Sequence, residues 1–164
     1  MKTMIALLSF IAIPLFFSCS SPKEVSGLTD AQVAEMINSQ QYRFLAKNMV
    51  PQTGRSRVLT DNYTLSVTKE EINADLPYIG QAYSAPMNPG EGGVKFASKD
   101  FGYEMKPRQK GGWDIIIKPK ESQYVRECDL TVFENGNANL VVLSNNRQSI
   151  SYSGVLMSPD KKLP

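Results

Sequence analysis

Glu127 and Asp129 stand two residues apart in Val125-Arg126-Glu127-Cys128-Asp129-Leu130, a run that alternates like a strand. That spacing puts both carboxylates on one face, with Cα atoms about 6.6 Å apart. A glycosidase needs such a pair facing across a cleft, one carboxyl desolvated so that it can act as an acid. Here Arg126, Cys128, Leu130 and Val132 read as the core side, which leaves the carboxylates on a solvated face. The chain has no histidine, and with it go the commonest general base, the commonest metal ligand and the usual triads. Two cysteines, Cys19 and Cys128, make neither a zinc set nor a disulfide framework. Cys128 lies in a strand-like run with no imidazole to activate it, and reads as a small buried hydrophobe. Residues 134–139 carry a single carboxylate, too few for a calcium loop. No phosphate-cradling glycine motif is present. These residues argue against catalysis and call for no metal or cofactor.

Other side chains offer binding chemistry. Lys106, Arg108, Lys110, Lys118 and Lys120 crowd one turn-like stretch and could meet anionic headgroups or acidic glycans. Pro107 and Pro119 among them favour a plainer role, since lysines and prolines at strand ends block edge-to-edge pairing. Trp113 could stack on a sugar if exposed, but its alternation with Ile115 and Ile117 places it in the core. The least generic stretch is Asp75-Leu76-Pro77-Tyr78-Ile79-Gly80-Gln81-Ala82-Tyr83-Ser84-Ala85-Pro86. Two prolines fix its backbone, Gly80 permits an unusual φ, and two tyrosines lie between, so it reads as an ordered loop. Tyr78, Gly80 and Tyr83 are the candidate ligand or partner contacts, because tyrosine offers rigid apolar area with a polar tip. The competing and favoured reading is a plug, with Leu76, Tyr78 and Tyr83 covering an open end of a sheet.

The first residues give an address. Lys2 is followed by an apolar run from Met4 to Phe17, and Ser18-Cys19 closes it, the order of a secretory leader. The run is shorter than the roughly 20 residues a bilayer requires. Two readings compete. Cleavage before Cys19 with acylation of its thiol, as at a lipobox, makes a lipoprotein; ordinary cleavage nearby releases a soluble protein. Phe16 and Phe17 depart from the usual lipobox, yet the polar run Ser20-Ser21-Pro22-Lys23-Glu24-Val25-Ser26-Gly27 reads as a tether, which favours the first. The expected division is a signal peptide over 1–18, a lipidated tether over 19–27 and one β domain over 28–164. Without Lys2 the chain carries 17 basic and 16 acidic residues, no footprint for nucleic acid.

The elements follow from periodicity. Thr29 and Gln32 form a capping box, Leu28 and Val33 a hydrophobic staple, and Val33, Met36 and Ile37 one apolar stripe. A helix from about Asp30 to Ser39 is expected. After it the period becomes two. Strands are expected around Tyr42, over 63–68, from Val94 and Phe96 through a Lys99-Asp100 hairpin into Phe101 and Tyr103, and from Trp113 to Ile117. Residues 124–133 are the longest candidate; an Asn135-Gly136 hairpin turn leads to 138–144, and 149–155 ends the series. Residues 156–164 read as a loose tail. The fold class is mainly β (α+β), one N-terminal helix and an antiparallel meander of about eight strands, curled into a barrel or sandwich.

The Leu76-Pro77-Tyr78 loop, Gly93-Val94-Lys95-Phe96, the Asn135-Gly136 turn and Ile150-Ser151-Tyr152-Ser153-Gly154, in that order, resemble the Bacteroidetes lipoprotein family called domain of unknown function 4251. The resemblance covers most of residues 29–155. It implies an envelope lipoprotein and no activity, so no catalytic residue is carried over. The expectation is a protein exported across the inner membrane and lipid-anchored in the outer membrane, facing the periplasm. It would be a non-catalytic module for an envelope protein or small ligand. Two alternatives remain: a lipocalin-like carrier, which needs an apolar cavity, and a glycan-acting hydrolase built on Glu127 and Asp129.

Overall fold

In the computed structural model, residues 27–83 and 92–163 are described. The leader, Cys19, the tether up to Ser26 and Pro86 lie outside them. The expected capping box forms: the Thr29 hydroxyl accepts from the Gln32 amide while the Gln32 side chain accepts from the Thr29 amide. It starts α1 (Asp30–Ser39), which buries Val33, Met36 and Ile37. Gln40 ends the helix in the left-handed region at φ 54°, sending the chain into the sheet.

Ten strands follow: β1 (Tyr42–Pro51), β2 (Arg57–Val58), β3 (Thr64–Val67), β4 (Ile72–Leu76), β5 (Val94–Ser98), β6 (Phe101–Pro107), β7 (Trp113–Pro119), β8 (Val125–Val132), β9 (Asn137–Ser144) and β10 (Ile150–Met157). They form one sheet in the order β5-β4-β3-β1-β10-β9-β8-β7-β6, with β2 beside β1. The eight pairings along this path are all antiparallel. Eight reversals leave β5 and β6 running the same way, so Lys99-Asp100 cannot be the turn of the expected hairpin. It is a bend in one continuing strand whose first half pairs with β4 and whose second half pairs with β7. The sheet thereby curls into a nearly closed barrel. Glu121 holds the bend, accepting from the amides of Lys99 at 2.6 Å and Asp100 at 3.4 Å.

Inward residues from every wall meet in one cluster, among them Phe44, Leu65, Ile117, Leu130, Leu140 and Tyr152, all under 2% exposed. The stripe of α1 joins that cluster, so the helix closes the end of the barrel where β1 begins. Asp30 there shares a cavity with the β6–β7 and β8–β9 turns.

Several local expectations are corrected. The longest strand is β1, with ten residues, and not the 124–133 segment, whose β8 has eight. A bulge between Val125 and Glu127 turns Arg126 outward, away from the core side assigned to it. Asp75 and Leu76 belong to β4, not to a loop. In the 133–137 turn the Gly136 amide donates to Phe133 and the Phe133 amide to Asn137. Only Gly136 has a positive φ (76°), so this is a three-residue turn with a left-handed glycine and not a two-residue one. The tail is tied down as well. Leu156 and Met157 end β10, buried, and Leu163 packs on an outer cluster of Leu45, Val155 and Met157.

Candidate functional site

At the end of the barrel opposite α1, the chain leaving β4 runs across the turn between β9 and β10. The Tyr78 hydroxyl lies 3.1 Å from the carbonyl oxygens of both Gln81 and Gln148. The Gln148 amide donates to Gln81, and the Tyr83 amide donates to Asn146. Arg147 lies 4.8 Å over the Tyr78 ring and 5.7 Å from that of Tyr124, and its guanidinium donates to the Gly93 carbonyl at 2.9 Å. From inside the barrel, the Tyr152 hydroxyl donates to the Pro77 carbonyl at 2.6 Å. Burial raises the Tyr78 pKa, with the nearby guanidinium pulling the other way; the phenol therefore stays protonated and able to donate.

This geometry separates the three candidate contact residues. Tyr78 is half-buried and spent on the stitch, as the plug reading requires. Gly80 is not left-handed; its need is space, since a Cβ there would come within 2.6 Å of the Tyr78 hydroxyl. Tyr83 does not cover the barrel: it is 73% exposed, and Ile79 in the same segment is 36% exposed. The pinned segment thus leaves the side chains of Ile79 and Tyr83 exposed. Arg147, whose role no sequence motif announces, joins Tyr78, Gln81 and Gln148 in holding the two segments together. Its only sequence signal is its place after Asn145-Asn146, a turn set apart by 60 residues and more from the loop it clamps.

The carboxylate pair is not simply solvated. The Glu127 side chain is 23% exposed, and one Asp129 oxygen is buried without a hydrogen-bond partner. Burial, then the charge of Glu127 and a hydrogen bond to it, raise the Asp129 pKa. Ile116 and Val141, which flank Asp129 in the ladder, supply that burial. Lys118 bridges Glu127 at 3.5 Å and Glu104 at 3.8 Å. The two carboxyls project from one face of a single strand, two residues apart, whereas a glycosidic bond has to lie between carboxyls that face each other across a cleft.

The remaining chemistry is dispersed. Cys128 is buried and its pKa is pushed up to about 12, first by burial and then by Asp129 and Glu127, which makes it an inert thiol. The five basic residues do not gather. Lys118 and Lys120 lie at the opposite end of β7 from the Arg108 turn, and Lys120 pairs with Asp100 at 2.8 Å. Arg108 pairs with Asp114 and stacks on Phe133. Phe44 is buried in the interior, with the partly buried Phe96, Tyr103 and Trp113 packed against the same core. Among the described residues no three of His, Cys, Asp and Glu converge to hold a metal ion.

No curated protein matches the chain. Among solved structures, a crystal structure of a DUF4251 family protein from Bacteroides eggerthii superposes with a TM-score of 0.58 at 13% identity, covering 79% of this chain and 87% of that one. At that identity the likeness shows the fold. The family model described as domain of unknown function (DUF4251) matches residues 25–156, well over half of the chain, and the protein belongs to that family.

Proposed function

We propose that this protein is a lipid-anchored, non-catalytic module of the cell envelope that binds a protein partner through the tip of its Tyr78–Tyr83 loop. The observation that carries the reading is Tyr83, an exposed aromatic on a loop whose base is pinned by Tyr78 and Arg147. An aromatic anchor already held in place loses little freedom on binding and suits the centre of an interface. Supporting the anchor are the leader ending in Ser18-Cys19 and the polar tether behind it. The filled interior argues for surface contact over carriage of a ligand inside.

The test pairs two variants in the source cell. Tyr83→Ala with Ile79→Ser should leave the melting temperature unchanged and abolish an envelope cross-link that the unaltered chain makes. Retention of that cross-link sinks the contact. Cys19→Ala should abolish incorporation of labelled fatty acid, and continued labelling would sink the anchor.

A further inference from the structure

Asparagine is disfavoured in strands, where its short amide competes for backbone partners. The strands of this barrel hold four, Asn48, Asn73, Asn137 and Asn139. Three of them, all but Asn73, line one open cavity of about 210 Å³ on the outer wall of β1, β10 and β9. Two backbone features shape it. The ladder between β1 and β10 slips between Ala46 and Asn48, leaving Lys47 as the extra residue of a bulge, the device by which sheets re-aim side chains at binding sites. Opposite the bulge lies Gly154, where any Cβ would overlap the Leu45 carbonyl; only glycine lets the strands come so close.

Asn139, Ser153 and Asn48 then form one cross-strand row, with neighbours about 4.8 Å apart. The Asn48 amide donates to the Ser153 hydroxyl at 3.3 Å, fixing both. Each carboxamide offers two donors and one acceptor on a planar head. The wall residue Val155 is 8% exposed and gives the groove an apolar side. Among the described residues no carboxylate lines it, so a cation finds no counter-charge there, and Lys47 is the one charged residue, too little for a polyanion. Three donor–acceptor heads, that of Asn48 held by Ser153, beside an apolar patch match a ring that carries adjacent hydroxyls on one edge and C–H groups on its face. The volume is below that of a drug-sized site and suits a single ring of a longer chain.

We propose that this groove binds a neutral, hydroxyl-rich ligand, a glycan. The surface is separate from the Tyr83 tip, so either can fail without the other. The chain from Cys19 onward, labelled with nitrogen-15, would be titrated with glucose, galactose, mannose and N-acetylglucosamine and with a linear trisaccharide of each. With at least one probe, the side-chain amide signals of Asn48, Asn137 and Asn139 should shift and saturate while those of Asn73 stay fixed. Asn139→Ala, an exposed position, should weaken that binding about tenfold, the effect of one lost hydrogen bond, without moving the melting temperature. Tyr83→Ala should leave it unchanged. No saturable shift with any of the eight sugars overturns the proposal, as does a shift that Asn139→Ala leaves intact.

Discussion

At one end of the barrel, Val33, Met36 and Ile37 of α1 drop into the same buried cluster as Phe44 and Leu65. At the other, Tyr78, Arg147 and Tyr152 tie two loops together through backbone carbonyls and ring faces. The first closure rests on apolar area removed from water, which is non-directional and large. The second rests on hydrogen bonds and a cation over aromatic rings, each of modest net strength but strict in geometry. The helix end can tolerate small shifts as long as it stays dry. The loop end fixes positions, and the exposed Tyr83 is on the loop end. Bulk apolar stability and strict positioning are thereby assigned to opposite ends of one core.

That contrast can be broken by mutation. Ile37→Ala, at a fully buried site, should cost about 2–5 kcal/mol, read from the midpoint of urea unfolding. Tyr152→Phe removes the donor to Pro77 and leaves a part-buried carbonyl unpaired, costing about 1–3 kcal/mol. It should also quicken amide exchange in residues 77–83 while α1 keeps its protection. Should Tyr152→Phe cost more than Ile37→Ala, the division of labour collapses. Arg147→Met keeps the apolar stem but loses the stacked guanidinium. A loss of about 1 kcal/mol is expected, with exchange again faster only around the loop. Equal loosening of α1 would mean that the two ends are not separable.

The helix end was readable in the sequence because everything that builds it is local. Thr29, Gln32 and the Val33-Met36-Ile37 stripe lie within nine residues, and helix and cap form where the spacing places them. The loop end was half readable: Pro77 and Tyr78 announced an ordered segment, but its partner Arg147 lies across the barrel. The β5–β6 hairpin failed for a related reason. Alternation and a polar pair look the same in a tight turn and in a bend, and only the count of reversals around the whole sheet tells them apart. The solvated reading of Asp129 failed because the outer wall carries Ile116 and Val141 in the same row, neighbours that no strand reveals by itself. The clustered asparagines come from two strands remote in sequence and brought together by β10.

Among the described residues neither closure is held by a carboxylate hydrogen bond, so the two ends should respond alike to pH while the bend at Lys99-Asp100 and the wall around Asp129 should not. Two carboxyls outside the closures, Glu121 and Asp129, have opposite signs. Hydrogen bonds from the amides of Lys99 and Asp100 hold the Glu121 pKa below its ordinary value. Its contribution is present above the unfolded pKa and is lost as pH falls through the folded one. Asp129 is raised, by burial first and by the charge of Glu127 second. Its contribution is full below the unfolded pKa and is lost as pH rises through the folded one. Glu121→Gln should therefore weaken the fold at neutral pH and converge on the unaltered chain in acid. Asp129→Asn should strengthen it at neutral pH, with the advantage shrinking as pH falls through the carboxylate range. Urea midpoints taken from about pH 3 to pH 8 read both slopes. Parallel curves for the two variants would show that these carboxyls do not set the pH response, and would return that role to one of the ends.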